Sequence, residues 1–287
     1  MRLREITESN ELFLLDGSMG VYAIKLGINP KNILSANITD PEVIQSIHKG
    51  YVRAGSRGIL TNTFNLTEES ACQSGYTQRE IIKAAVENAR KALEGYDDGM
   101  VLFDMSPSGF IPDEQGDFPE AKALELYGAQ AAYAREYGVD GVFIETIAQA
   151  EEMACAIRAV KENTTLPVFA SMTFNAGGTS WYGSTIEDFA QVINELKPDC
   201  AGINCSIAPR ETLPLLKRLS YLTDIPLCAK PNRGRPVLRG SETVYEMTPE
   251  EYASDLYEIY RLGIRILGGC CGTDEQCLKL FAQKVMG

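Results

Sequence analysis

Three cysteines stand where they could hold a metal ion. Cys205 closes the run Ala201-Gly202-Ile203-Asn204, and Cys270 and Cys271 follow Gly268-Gly269. Three thiolates suit Zn2+ at about 2.3 Å per bond and leave one tetrahedral position open. The paired glycines let the chain bend so that neighbouring side chains reach one ion, whereas successive side chains of a regular strand point to opposite faces. A competing reading makes Cys205 a small core residue and Cys270-Cys271 a redox pair, because free cysteine is among the most buried residue types. Three thiols flanked by glycines at strand ends weigh toward metal. The remaining cysteines, Cys72, Cys155, Cys200, Cys228 and Cys277, sit inside apolar patterns and read as core.

Charge sets the chemistry of such a centre. Zinc with three thiolates is one unit negative, and a thiol substrate entering the open position loses its proton and adds a second unit. The bound sulfur is then a good nucleophile, and the metal polarises water weakly. Alkyl transfer to sulfur fits this better than hydrolysis, for which zinc usually takes imidazole ligands. The chain has one histidine, His48, which removes multi-histidine metal sites and removes the Ser-His-Asp and Cys-His hydrolases unless His48 itself serves.

Positioning these thiols requires strands that converge. Near-continuous apolar runs at 12–16, 58–64, 101–106, 141–146, 168–173, 201–205, 226–230 and 264–268 read as strands buried on both faces of a parallel sheet. Helical patterns with start signals lie between them. Asp40-Pro41-Glu42 offers a cap followed by proline at the first helical position. Capping boxes are predicted at Thr77-Gln78-Arg79-Glu80, Ser184-Thr185-Ile186-Glu187, Thr248-Pro249-Glu250-Glu251 and Thr273-Asp274-Glu275-Gln276. The helix from Gln78 places Ile81, Ile82, Ala85, Ala89 and Leu93 on one face. Segments 110–121 and 175–183 read as loops.

Eight β–α pairs in 287 residues predict a TIM (β/α)8 barrel spanning 1–287 as a single domain. A doubly wound sheet is disfavoured because Asp16-Gly17-Ser18-Met19-Gly20 is not a G-x-G-x-x-G fingerprint. In a barrel the sixth and eighth strands lie two apart, so Cys205, Cys270 and Cys271 can meet at its mouth. Polar residues gather at the same strand ends: Asp16, Asn62, Thr63, Asp104, Glu145, Thr173, Asn204 and Asn232. Active residues of barrels sit there.

Composition bounds the partners. Hydrophobic residues make up 45% of the chain, enough for a sizeable core and against global disorder. A net charge of −12 argues against nucleic acid, since phosphate affinity depends on Lys and Arg. No apolar run is long enough for a membrane span, and Met1-Arg2-Leu3-Arg4-Glu5 leads into no signal-peptide core. The expected location is cytoplasmic, where thiols stay reduced.

These motifs together carry a resemblance. Asp16-Gly17-Ser18-Met19-Gly20, Thr61-Asn62-Thr63-Phe64, Ile144-Glu145-Thr146, Gly202-Ile203-Asn204-Cys205-Ser206 and Gly268-Gly269-Cys270-Cys271-Gly272-Thr273 resemble the homocysteine S-methyltransferase family, from Leu12 to the C-terminus. Met172-Thr173-Phe174 and Thr243-Val244-Tyr245 look most like the homocysteine-binding module of cobalamin-dependent methionine synthase. The resemblance implies one zinc ion on Cys205, Cys270 and Cys271, with homocysteine bound to it through sulfur. It implies that Glu145 holds the substrate ammonium, that Asp16 lies near the substrate, and that the Gly17–Ser18 amides meet its carboxylate. An alternative for Asp16 and Glu145 is a carboxylate capping the next helix. Asn204 is expected to orient the site rather than ligate metal.

Two departures shape the expected donor. Lys230-Pro231-Asn232-Arg233-Gly234-Arg235-Pro236 is unusually basic, and Lys230, Arg233 and Arg235 could receive an anionic donor or carrier, or form a solvated loop. The chain also ends at Gly287 with no visible place for folate or corrin. A methyl-corrinoid (methylcobalamin) on a separate protein is therefore the expected co-substrate. S-methylmethionine or betaine is second, and a non-catalytic zinc- and thiol-binding subunit is the rival from another class.

Overall fold

A computed structural model of the chain describes residues 3–7, 9–112, 117–240 and 242–287. Met1, Arg2 and the centre of the anticipated 110–121 loop lie outside the described residues. Eight parallel strands form one sheet: β1 (Phe13–Leu14), β2 (Gly58–Leu60), β3 (Met100–Met105), β4 (Gly141–Ile147), β5 (Val168–Met172), β6 (Cys200–Asn204), β7 (Leu227–Lys230) and, after a hairpin of β8 (Pro236–Arg239) and β9 (Glu242–Tyr245), β10 (Ile266–Leu267). Their spatial order is β1-β10-β7-β6-β5-β4-β3-β2. A parallel bridge between Leu15 and Gly58 brings β1 against β2, and the Asp16 amide donates to the Gly58 carbonyl at 3.0 Å. This is the anticipated (β/α)8 barrel, with β10 as its eighth strand lying two away from β6.

Side-chain period explains how the barrel is filled. Phe13, Leu15, Leu60, Met100, Leu102, Phe143, Phe169, Cys200, Cys228 and Ile266 form one buried cluster inside the staves. Their strand neighbours, such as Phe103, Ile144, Ala170 and Ala229, pack outward against the helices. Continuing the inward register by two residues from Leu102, Phe143 and Cys228, and by four from Cys200, brings Asp104, Glu145, Lys230 and Asn204 to the carboxyl end of the barrel interior. The helix Leu3–Thr7, which the sequence reading did not anticipate, adds Leu3 and Ile6 to the interior cluster.

Most helix starts follow their chemistry. Thr77 and Thr248 form the expected capping boxes with Glu80 and Glu251. Ile81, Ile82, Ala85, Ala89 and Leu93 are all buried. Two starts fall one residue later than expected. Thr185, not Ser184, caps its helix with Asp188 at the third position, because the Ser184 hydroxyl accepts from the Ala150 amide instead. Asp274, not Thr273, caps the last helix, because Thr273 Oγ1 donates to the Cys270 carbonyl and accepts from the Ser18 amide. At Asp40 the proline at the first helical position is present, but the side chain makes no capping bond. Several strands are shorter than their apolar runs. Beyond Leu60 the chain bends as Asn62 Nδ2 donates to the Ile33 carbonyl.

Candidate metal centre and substrate pocket

The loop after β6 and the loop after β10 bring three sulfurs together. Cys205, Cys270 and Cys271 Sγ all lie within 4.8 Å of one another, with Cys205 and Cys271 at 3.9 Å. Four sulfurs at 2.3 Å from one zinc would be separated by about 3.8 Å, so the cluster is the size a tetrahedral ion needs. Cys205 and Ser206 both have φ near +60°, which turns the chain sharply at the strand end and aims the thiol into the barrel mouth. Backbone bonds lock the two loops to β7 and its extension. The Cys205 amide donates to the Lys230 carbonyl, the Cys270 amide to Pro231, and the Arg233 amide to Cys271.

The glycines act by closeness of approach. A Cβ on Gly269 would lie 2.4 Å from Thr273 Oγ1, and one on Gly268 would lie 2.7 Å from the Asp16 carbonyl. Cys200, Cys228, Cys155 and Cys277 are buried away from this cluster, and Cys72 is exposed. The neighbouring Cys205 and Cys270 thiols pull the Cys271 thiol below its ordinary pKa. The donor set offers the spacing and the soft sulfur atoms that a divalent cation such as zinc takes.

Beside the thiols is a buried charged cluster. Lys230 Nζ lies 2.9 Å from Asp16 Oδ1 and 3.8 Å from Glu145 Oε2, with Lys230 and Asp16 3% exposed and Glu145 9%. Asp16 Oδ2 accepts from the Leu60 amide at 2.8 Å, so both Asp16 oxygens are engaged. Burial lowers the Lys230 pKa, but Asp16 and Glu145 outweigh it and the ammonium ends above its ordinary value. Burial raises Asp16, Asp104 and Glu145, the last to about 8. Asp104 Oδ1 and Glu145 Oε2 are buried without a hydrogen-bond partner among the described residues. Three acids around one lysine leave two carboxylate oxygens suited to a further cation. Asn232 Oδ1 is likewise buried and unpartnered, between residues whose backbones bind Cys270 and Cys271.

The anticipated residues divide by what they touch. Asn204 accepts from the Thr146 amide at 2.8 Å and donates to Thr146 Oγ1 at 2.7 Å, bracing the residue after Glu145, where φ is +62°. The Ser18 amide donates to Thr273 Oγ1, and Gly17 lies so close to Thr273 and Tyr51 that a Cβ would meet them at 2.7–2.8 Å. Lys230, Arg233 and Arg235 do not form one basic patch. Lys230 faces the barrel interior because Cys228, two residues earlier, does. Arg233 pairs with Asp274 and Arg235 with Glu211. His48 is fully buried in the helix Pro41–Ala54, and burial lowers its pKa to about 3, so it takes no part. The role of Lys230 was missed because its strand is short and its side chain reads as a loop charge. Its position two after Cys228 was the available signal.

The fold and site are those of a parallel (β/α)8 barrel with a three-thiol cluster at its carboxyl rim. The family model for homocysteine S-methyltransferase matches residues 13–285, and the chain belongs to that family. It is 30% identical to methionine synthase of Mycobacterium tuberculosis over 96% of this chain and 25% of that protein. It is 29% identical to methionine synthase of Mycobacterium leprae over 87% of this chain and 22% of that protein. The chain thus spans about a quarter of the length of these relatives. The metallated homocysteine methyltransferase MmuM from Escherichia coli superposes with a TM-score of 0.82 at 23% identity, covering 98% of this chain and 99% of that one. The carboxyl transferase domain of Rhizobium etli pyruvate carboxylase gives 0.60 at 12% identity, covering 99% of this chain and 44% of that one. These structural likenesses bear on fold alone. No helix among the described residues is long and apolar enough to cross a membrane.

Proposed function

We propose that this chain catalyses methyl transfer to the sulfur of L-homocysteine to give methionine, with one zinc ion held by Cys205, Cys270 and Cys271. The observation that carries the reading is the convergence of these three sulfurs at a barrel mouth in a chain of this family. When bound, zinc supplies the Lewis acidity that keeps an incoming thiol deprotonated at neutral pH.

The rest of the work falls to side chains. Asp104 Oδ1 and Glu145 Oε2 accept the substrate ammonium, which supplies the hydrogen-bond donor both oxygens lack. Lys230 binds Asp16 and offsets one of the three acids, and the substrate ammonium offsets a second. The substrate carboxylate takes the Ser18 amide from Thr273 Oγ1, since a charged acceptor forms the stronger bond. Asn204 holds Thr146 and thereby the Glu145 backbone. Below the pocket the barrel is filled by Phe143, Phe169 and Leu102, so the donor approaches from the mouth. A methyl-corrinoid on a separate protein or domain is the first-choice donor, supported by the likeness to methionine synthase; a small donor such as S-methylmethionine or betaine is second. The proposed setting is cytoplasmic.

The test offers zinc-loaded protein and homocysteine, in turn, free methylcobalamin, S-methylmethionine and betaine. Methionine from methylcobalamin supports the corrinoid donor, and methionine from either of the others reassigns it. No product from any, with zinc and homocysteine still bound, leaves a binding subunit or a missing carrier protein. Cys270→Ser should lose the stoichiometric zinc, and full retention would reject the ligand assignment.

A further inference from the structure

One cation is built into the substrate pocket itself. Lys230 follows Cys228 by two residues, so its side chain enters the barrel interior rather than solvent, and it is 3% exposed. Its Nζ stands 5.5 Å from the centroid of the Phe143 ring, 2.9 Å from Asp16 Oδ1 and 3.8 Å from Glu145 Oε2. Its partner is fixed. Asp16 Oδ2 accepts from the Leu60 amide, and the Asp16 amide and carbonyl bond to Gly58 and Gly269. Asp104 is held as firmly, its amide donating to Thr61 Oγ1 at 3.0 Å and its carbonyl accepting from Thr63 Oγ1 at 2.7 Å. The lysine therefore occupies Asp16 and leaves Asp104 Oδ1 and Glu145 Oε2 as the acid oxygens open to a ligand.

We propose that Lys230 is a specificity-determining residue that sets the charge of the acceptor: a thiol carrying a carboxylate beside its ammonium is taken, and a cationic aminothiol is rejected. The proposal rests on the reading of Asp104 and Glu145 as the ammonium site for homocysteine. Glu145 Oε2 is the shared atom. A ligand nitrogen about 2.9 Å from that oxygen lies no more than about 7 Å from Lys230 Nζ, because Nζ is itself 3.8 Å from it. At an effective dielectric of about 20, two cations at that separation repel by about fiftyfold in binding. The Asp16 carboxylate beside Nζ takes back part of this, which leaves about tenfold. A carboxylate on the ligand's own α-carbon is attracted to Nζ and offsets most of the remainder; a ligand without one bears it in full. Loss of Lys230 would also free Asp16 as a third acid for a cation. The residue thus acts on the choice between ligands, separately from its hold on the fold.

The experiment measures dissociation constants by calorimetry for the full, zinc-loaded chain with homocysteine and with 3-aminopropane-1-thiol, which is homocysteine with hydrogen in place of the carboxylate. The wild type should bind the aminothiol at least about 30-fold more weakly, tenfold from Lys230 and the rest from the lost bond to the Ser18 amide. That second loss is common to every variant, so the change in the ratio isolates Lys230. Lys230→Met and Lys230→Gln should each narrow the ratio about tenfold, and Lys230→Arg, which keeps the charge, should leave it within about twofold. A merely structural role weakens both thiols alike, so a wild-type ratio in folded Lys230→Met or Lys230→Gln overturns the proposal. A wild type that binds the aminothiol within about threefold of homocysteine overturns it without any variant. A zinc-loaded wild type that does not bind homocysteine overturns the substrate reading, and this one with it.

Discussion

Lys230→Met removes a buried cation from a pocket of acids and leaves a side chain of similar volume. The ammonium lies 2.9 Å from Asp16 Oδ1, and both groups are 3% exposed. At an effective dielectric of about 20 the pair attraction at that distance is about 6 kcal/mol, part of which repays the desolvation of the two ions. Deleting one member of such a pair commonly costs about 3–5 kcal/mol, because the partner stays buried and uncompensated. That is a large share of the ~5–15 kcal/mol that holds a domain folded. Urea unfolding of metal-stripped protein at pH 7.5 should show the unfolding free energy falling by that amount, through a lower midpoint at unchanged slope. The loss depends on pH. Without Lys230, burial raises the folded pKa of Asp16 further, so the variant keeps its proton while the unfolded chain ionises. Stability contributed by the protonated form is complete below the unfolded value near 4 and is lost as pH rises. The deficit should therefore be smaller at pH 5 than at pH 8. The double variant Asp16→Asn/Lys230→Met should cost about 2 kcal/mol less than the sum of the single changes. A single-variant cost below ~1 kcal/mol, or strict additivity, would refute the buried pair.

The raised pKa of Glu145, about 8 and chiefly from burial, predicts a second pH effect. Its contribution to stability is present below the unfolded carboxylate value and is lost as pH rises through about 8, at up to ~1.4 kcal/mol per pH unit. Relative to Glu145→Gln, wild-type metal-free protein should lose stability between pH 5 and pH 8; parallel curves for the two proteins would contradict the assignment. A packing prediction concerns Gly202, where a Cβ would lie 2.2 Å from the Cys228 carbonyl and 2.5 Å from its sulfur. Gly202→Ala should destabilise by about 1–3 kcal/mol or more and displace Cys205, read as reduced metal stoichiometry together with a lower thermal midpoint. Unchanged metal content at full stability would show that β6 tolerates the added carbon.

Local signals fixed much of this protein before any coordinates. The alternation of apolar runs and capped helical patterns determined a parallel barrel, because strands buried on both faces and helices buried on one have different periods. Glycines beside cysteines marked the thiol cluster, because close backbone approach leaves a compositional trace. What adjacency in the chain cannot encode is which distant groups face each other. Asp16 and Lys230 are 214 residues apart and meet only because β1, β10 and β7 are neighbours in the closed sheet. Thr185 and Asp274 took the caps expected of their neighbours because Ser184 and Thr273 were already bound to Ala150 and Ser18 across loops. The β8–β9 hairpin lies outside the eight apolar runs of the sequence, and only its folded path seats Tyr245 on Gly272. Residue types thus set the kinds of chemistry at hand, while charge pairing and donor competition across the barrel mouth were decided by closure of the sheet, since hydrogen bonds and ion pairs depend on separation in space.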